Sequence, residues 1–315
     1  MPEIIHVMVG ALSDARGRIV VSKRPDHVHQ GGLWEFPGGK LESGESPAAG
    51  LKRELAEELG IQVRASRPLI RVHHDYGDRH VLLDVHRVDD YAGIPHGREG
   101  QPLDWLTPGD MDPAAFPAAD RPIITALRLP TLMLITGEDP RQPEAFLARL
   151  RDALDAGVRL VQLRAHDLSA SDYASLAQAA FELCERQGAQ LLLNRDPAEV
   201  AHIARHGLHL ASPTLMALAT RPGRSNDLVG ASCHDPRQLA RAVELGLDYA
   251  LLSPVKPTAT HPEADPLGWR AFSDWVDPLP LPVYALGGLT ADDLNEAVQH
   301  GAQGIAAIRG LWPAS

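Results

Sequence analysis

The sequence predicts an α/β protein of two domains: strands around one long acidic helix, then a closed (β/α)8 TIM barrel. Three observations carry this. A length of 315 residues suits two domains. A glycine-rich loop leads into a helix that bears Glu54, Glu57 and Glu58. From about residue 130, short apolar runs alternate with amphipathic segments, as in successive βα units. The domains are therefore expected at 1–129 and 130–315.

In the first domain, residues 4–12 and 19–22 read as apolar strands and 79–88 as a further one. The helix between them is well signalled. Ser46 suits the N-cap and Pro47 the first helical position. Leu51, Leu55 and Leu59 form an apolar stripe, so the acidic face turns outward. Gly60 suits a left-handed C-cap. Residues three and four apart share a helical face, which gathers Glu54, Glu57 and Glu58. Like charges that close call for a cation. Mg2+ bridging to a substrate phosphate is the natural candidate, with Mn2+ as the alternative. Glu57-Glu58 alone would suit an ordinary solvated helix face. Gly38 and Gly39 let the backbone approach a ligand or metal.

In the second domain, eight candidate strands fall at 132–136, 160–164, 190–194, 208–211, 228–233, 249–254, 283–288 and 304–308. Most are separated by helical stretches, such as 144–156 and 170–187. The segment after the fourth strand is weak as a helix, and none is expected after the eighth.

Composition narrows the function. With 44% apolar and 23% charged residues, the chain reads as soluble and globular. No apolar run is long enough to span a membrane, and no basic segment precedes an apolar one at the N-terminus. Two cysteines, Cys184 and Cys233, make no disulfide framework, so a reducing cytoplasm is expected. A net charge of −11 disfavours long nucleic acids, though not a nucleotide whose charge a metal offsets. His6, His73, His74, His80 and His86 read as structural or surface groups, and no Cys/His spacing resembles a zinc site.

The run from Gly39 through Glu45, Arg53-Glu54-Leu55, Glu57-Glu58 and Gly60-Ile61 has every fixed position of the Nudix box. Residues 3–129 resemble the MutT-type Nudix hydrolases, the 8-oxo-dGTP diphosphatases that cleanse the nucleotide pool. The likeness extends to Lys23-Arg24, His29, Trp34-Glu35-Phe36-Pro37-Gly38, Asp78-Arg79-His80, Arg98-Glu99-Gly100 and Phe116-Pro117-Ala118-Ala119-Asp120. It implies an α/β/α sandwich with a mixed sheet. It also implies that Glu54, Glu57, Glu58, Glu99 and the Gly38 carbonyl hold the catalytic metal. Arg24, His29 and Arg79 would meet the nucleotide, and Glu35, Phe36, Pro37 and Gly38 would line its pocket. Glu45 and Arg53 would orient the site. Glu54 and Glu99 are both candidates for the base. Products would be the nucleoside monophosphate and pyrophosphate. The family's base-reading asparagine is here Asp120. That residue either mimics the amide, if burial keeps it protonated, or reads a different donor set.

Residues 131–311 resemble thiamine-phosphate synthases and the TenI-type thiazole tautomerases. The matching text includes Gln162-Leu163-Arg164, Leu193-Asn194, Gly207-Leu208-His209-Leu210, Ser232-Cys233-His234, Pro257-Thr258-Ala259-Thr260 and Gly287-Gly288. The resemblance implies a phosphate or ligand site from Gln162, Arg164, Asn194, Ser232, His234, Thr258, Thr260, Gly287 and Gly288. Two expected metal aspartates are replaced by Arg195 and Thr214, and two expected lysines by His166 and His261. A degenerate barrel that binds a phosphorylated thiazole or pyrimidine is therefore expected, beside a Mg-dependent hydrolase of 8-oxo-dGTP. The alternatives are a Nudix hydrolase of another nucleotide or of a thiamine-related diphosphate, a sensory protein, or a bifunctional enzyme with tautomerase or synthase activity.

Overall fold

Residues 4–28, 30–77, 79–137, 139–258 and 263–312 are described by a computed structural model of the chain. The chain divides into two compact units, which part between Arg128 and Leu129, with 277–280 grouped with the first.

The first unit contains β1 (Ile4–Leu12), β2 (Ile19–Lys23), β3 (Trp34–Glu35), β4 (Gly38–Lys40), α1 (Pro47–Leu59), β5 (Gln62–Asp75), β6 (His80–Ala92), β7 (Leu103–Leu106) and α2 (Arg121–Arg128). One sheet runs in the order β4-β1-β6-β5, the other β3-β2-β7. The first sheet is mixed, because β1 pairs parallel with β6 and antiparallel with β4. Alternation along β1 divides its side chains between two cores. Met8 and Leu12 join Leu51, Leu55 and Leu59 of α1, whereas Val9 and Ala11 join Ile123, Ile124 and Leu127 of α2. The helices therefore cover opposite faces, giving the α/β/α sandwich. Each fully buried leucine of α1 contributes about 1.5–3 kcal/mol by leaving water.

β5 is 14 residues long and the sequence pattern did not mark it. Arg64, Ser66, Arg67 and Pro68 break its alternation, and its pairing with β6 shifts register three times between Val63 and Ile70. Buried Asp84 of β6 accepts from Arg71 at 3.1 Å and lies 3.3 Å from both His6 and His86. Burial would raise its pKa. The His86 hydrogen bond and the Arg71 charge outweigh burial and bring it to about 2. These two histidines are structural.

The second unit contains β8 (Leu132–Ile135), α3 (Pro143–Asp155), β9 (Leu160–Leu163), α4 (Ala170–Arg186), β10 (Gln190–Leu193), β11 (Gly207–Leu210), α5 (Ser212–Ala217), β12 (Leu228–Cys233), α6 (Pro236–Glu244), β13 (Tyr249–Leu252), α7 (Gly268–Val276), β14 (Val283–Leu286), α8 (Leu294–Gln299) and β15 (Gly304–Ala307). The eight strands β8 to β15 close in sequence order, each parallel to its neighbours. Most are four-residue apolar runs buried on both faces, as parallel strands under helices must be. The weak segment after the fourth strand forms only the six-residue α5. Leu160, Leu192, Leu251, Tyr249 and Tyr284 form part of a buried cluster, with the tyrosine rings edge to face at 5.8 Å. Among the described residues, no helix is long and apolar enough to cross a membrane.

Candidate functional site

α1 begins as its sequence directs. The Ser46 hydroxyl accepts from Ala49 N at 3.3 Å, and Gly60 closes the helix at φ 68°. On its outer face, Arg53 gathers the acids. It donates to Glu45 at 3.1 and 3.0 Å, to Glu54 at 2.8 Å, to Glu57 at 3.2 Å and to the Lys40 carbonyl at 3.0 Å. The Arg53 hydrogen bond holds Glu45 below the usual carboxylate range. Glu54 packs so closely on Gly39 that any side chain there would collide with its carboxylate.

Glu58 accepts from Gly38 N at 3.0 Å. Gly38 has φ +150°, and a Cβ on it would strike the Met8 carbonyl, so only glycine fits this turn. Burial, with the charges of Glu35, Glu99 and Glu54, pushes Glu58 up to about 7, against the Gly38 hydrogen bond. Among the described residues, no three His, Cys, Asp or Glu side chains form a ready coordination shell. The carboxylates are neighbours, with Glu54 and Glu57 held on Arg53 and Glu58 on Gly38.

A cavity of about 270 Å³ opens beside Gly38, and Arg24, Glu35, Phe36, Arg79 and Asp120 also line it. Arg24 forms a close ion pair with Glu35, and Phe36 stacks on Phe116 at 5.6 Å. Asp120 is 8% exposed. Burial, then the charge of Glu35, pushes it up to about 8, against Arg24 and a hydrogen bond from Phe36 N–H. Burial likewise raises Glu35, with Glu99 adding to the effect and Arg24 opposing it.

In the barrel, a cavity of about 510 Å³ lies at the C-terminal ends of the strands. Gln162, Arg164, Asn194, Ser232, His234, Thr258, Gly287 and Gly288 all line it. Asn194 donates to the His209 carbonyl at 2.8 Å, and His234 Nδ1 lies 3.0 Å from the Ser253 carbonyl. Gln162 is 3% exposed and its Oε1 has no partner among the described residues. Gly287 and Gly288 have φ of 102° and 66°, a turn that L side chains resist. Arg164, His166, His234 and Arg309 put cationic or protonatable groups in the wall, and the described lining includes no carboxylate.

Residues 8–126 match the NUDIX domain and residues 132–311 the thiamine monophosphate synthase family. An 8-oxo-dGTP diphosphatase of Escherichia coli is 33% identical over 124 residues, 39% of this chain and 96% of that protein. A thiamine-phosphate synthase of Thermus thermophilus is 34% identical over 173 residues, 54% of this chain and 83% of that protein. The chain belongs to both families. A solved structure from work on MutT of Aliivibrio salmonicida and Vibrio cholerae is 38% identical, covers 40% of this chain and 97% of its own, and has a TM-score of 0.35.

Of the nucleotide-contacting residues expected from sequence, Arg24, Glu35, Phe36, Gly38, Arg79 and Asp120 line the NUDIX cavity, whereas the carboxylates Glu54, Glu57, Glu58 and Glu99 do not. Pro37 does not line it either: it is buried, and its carbonyl accepts from Gly10 N at 2.8 Å. His29, Thr260 and His261 lie outside the described residues. Ile5, Val7 and Val9 of β1, Val81 and Leu83 of β6, and Tyr76 line the cavity without having been singled out. Their period-2 spacing was visible on β1, but not which face was open.

In the synthase domain, Arg195 is bound into the scaffold. It lies 4.6 Å over the Tyr173 ring and donates to the carbonyls of Ala165, His166 and Leu168 at 3.1, 3.3 and 2.5 Å. Asp196 accepts from Ala198 N at 2.8 Å in its own turn, and Thr214 lies within α5. Burial lowers the His166 pKa, and the charges of Arg164 and Arg195 lower it further.

Proposed function

We propose that the NUDIX domain is a Mg2+-dependent nucleoside triphosphate diphosphatase that converts 8-oxo-dGTP to 8-oxo-dGMP and pyrophosphate. The observation that carries this reading is the buried carboxyl of Asp120 in the wall of the cavity, where burial pushes its pKa up to about 8 and so favours the protonated form at neutral pH. A protonated carboxyl donates through O–H and accepts through C=O, as an amide does. It can donate to O6 of 8-oxoguanine and accept from N7–H. Ordinary guanine has a lone pair at N7, which would face the Asp120 carbonyl oxygen.

A divalent cation fits the residues present. The donors are carboxylate and carbonyl oxygens, which hard cations prefer. The elevated Glu58 pKa reflects burial and an excess of nearby negative charge that a cation would offset. Glu54, Glu57, Glu58, Glu99 and the Gly38 carbonyl would hold it. When bound, it supplies neutralising charge for the phosphate oxygens. Arg53 keeps Glu54 and Glu57 together, and Gly38 N–H orients Glu58. Glu54 or Glu99 takes the proton from the attacking water. Water adds to the β-phosphorus, the bond from that phosphorus to the α–β bridging oxygen breaks, 8-oxo-dGMP departs with the bridging oxygen, and the pyrophosphate formed carries the oxygen from water.

A hydrolysis panel with Mg2+ tests this, using 8-oxo-dGTP, dGTP, the other common nucleotides, ADP-ribose and thiamine diphosphate. 8-oxo-dGTP is expected to have the highest kcat/KM. Faster turnover of ADP-ribose or thiamine diphosphate would replace this reading with a different Nudix specificity.

For the barrel, we infer a domain that binds a phosphorylated thiazole or pyrimidine without synthase turnover. The cavity wall supports this. Its cationic groups and the Gly287-Gly288 turn suit a phosphate, and its described residues offer no carboxylate to hold Mg2+ on a pyrophosphate. Binding of a phosphorylated thiazole with no product in a coupled thiamine-phosphate assay is expected; turnover would reject the inference.

A further inference from the structure

One fully buried histidine of the barrel has no part in the site as built so far. His209 of β11 is 0% exposed. Its Nδ1 lies 2.8 Å from the Tyr249 hydroxyl of β13, and its Nε2 lies 2.9 Å from Ser232 Oγ of β12. Burial pushes its pKa down to about 3, so the ring is neutral. A neutral imidazole has one N–H and one lone pair. A single proton therefore fixes the direction of both hydrogen bonds.

The Tyr249 side chain decides where that proton sits. It is 0% exposed, and its hydroxyl has no other hydrogen-bond partner among the described residues. If Nδ1 held the proton, the phenolic hydrogen would be stranded in the barrel interior, which costs free energy. If Tyr249 donates to Nδ1 instead, Nε2–H donates to Ser232 Oγ, and both contacts are satisfied. The Ser232 hydrogen is then left over. Ser232 is half-buried and lines the cavity, and its Oγ has no other partner among the described residues.

We propose that Tyr249 and His209 are positioning residues that lock Ser232 Oγ as the acceptor of Nε2–H and so free its hydroxyl hydrogen to donate into the barrel cavity, which favours a bound ligand with an acceptor oxygen or ring nitrogen there. The proposal rests on reading this cavity as the site of a phosphorylated ligand, and it adds the polarity of one contact. Ligands of equal size that lack an acceptor at this point forgo that hydrogen bond.

The lock can be tested on the full chain without any ligand. Long-range 15N–1H spectra of the histidine rings, assigned by comparison with His209→Gln, are expected to show His209 protonated on Nε2. A ring protonated on Nδ1 would overturn the proposal. Tyr249→Phe conserves volume and is expected to let the Nδ1 tautomer appear. Titration with inorganic phosphate and with a phosphorylated thiazole follows the consequence. Ser232→Ala and Tyr249→Phe are each expected to weaken binding by about tenfold, one hydrogen bond's worth. In the Ser232→Ala background, Tyr249→Phe is expected to cost nothing more, because both act through one hydroxyl. Additive losses would overturn the proposal. A loss seen with phosphate alone puts the acceptor on the phosphate; a loss confined to the thiazole ligand puts it on the ring. If wild type bound neither probe, the phosphorylated-ligand reading would fall, and the spectra would still decide the lock.

Discussion

Replacing Asp120 tests the specificity of the NUDIX cavity most directly. Asp120→Ala removes one donor and one acceptor from a position that is 8% exposed. Each lost contact is worth about 1–1.5 kcal/mol where water cannot replace it. Both bases carry O6, so only the N7–H contact enters the ratio of kcat/KM for 8-oxo-dGTP over dGTP, which should fall by about 1–1.5 kcal/mol, or roughly 5- to 13-fold. Steady-state release of pyrophosphate from each nucleotide measures that ratio. Asp120→Asn keeps one donor and one acceptor, so the preference is expected to survive. The pH profile separates the two further. Burial pushes the Asp120 pKa up to about 8. In wild type, kcat/KM for 8-oxo-dGTP should fall by up to about tenfold per unit as pH rises beyond that value, because an ionised carboxylate cannot donate to O6. Asp120→Asn should show no such fall. An unchanged ratio in Asp120→Ala would refute the assignment of Asp120 to the base.

The same residue links stability to pH. Its native pKa of about 8 exceeds the ordinary 3.8, so between these values the folded state holds a proton that the unfolded chain has released. Stability should therefore decline across that window, by up to about 1.4 kcal/mol per pH unit, and level off above it. Urea unfolding of Asp120→Asn should lack this slope. Glu57→Gln should lower kcat at least about a hundredfold through weakened cation-dependent charge stabilisation, with little change in Tm, since this side chain is 58% exposed. Near-normal turnover would count against the metal assignment. Arg195→Ala should destabilise the barrel by roughly 2–3 kcal/mol, as carbonyl bonds and a cation–π contact are lost. Calorimetry of the barrel transition measures this. EDTA should abolish nucleotide hydrolysis and leave binding of a phosphorylated thiazole to the barrel unchanged; isothermal titration with and without chelator checks the second half.

The barrel and α1 were legible because their signals are local. Ser46, the leucine stripe and Gly60 act within one helix, and each barrel strand is a short apolar run. β5 was not legible, since its bulged register and its polar residues are tolerated only by pairing with β6 along nearly its whole length. The site was legible as a set of residue types, but not in its contacts. Sequence spacing puts Glu54, Glu57 and Glu58 on one face. Only the fold shows Arg53 holding the first two while Gly38 holds the third. Asp120 could be read as ionised or protonated until its burial was known. The His209–Tyr249 contact joins strands 40 residues apart and leaves no local pattern.

The Gln162 carbonyl oxygen has a consequence for ligand choice. It is buried and faces no donor among the described residues. A guest that offers it an N–H or O–H gains a hydrogen bond, and one that does not leaves it unpaired and binds more weakly than its shape would suggest. Molecules that fill the chamber equally well are thereby sorted by where their hydrogens point.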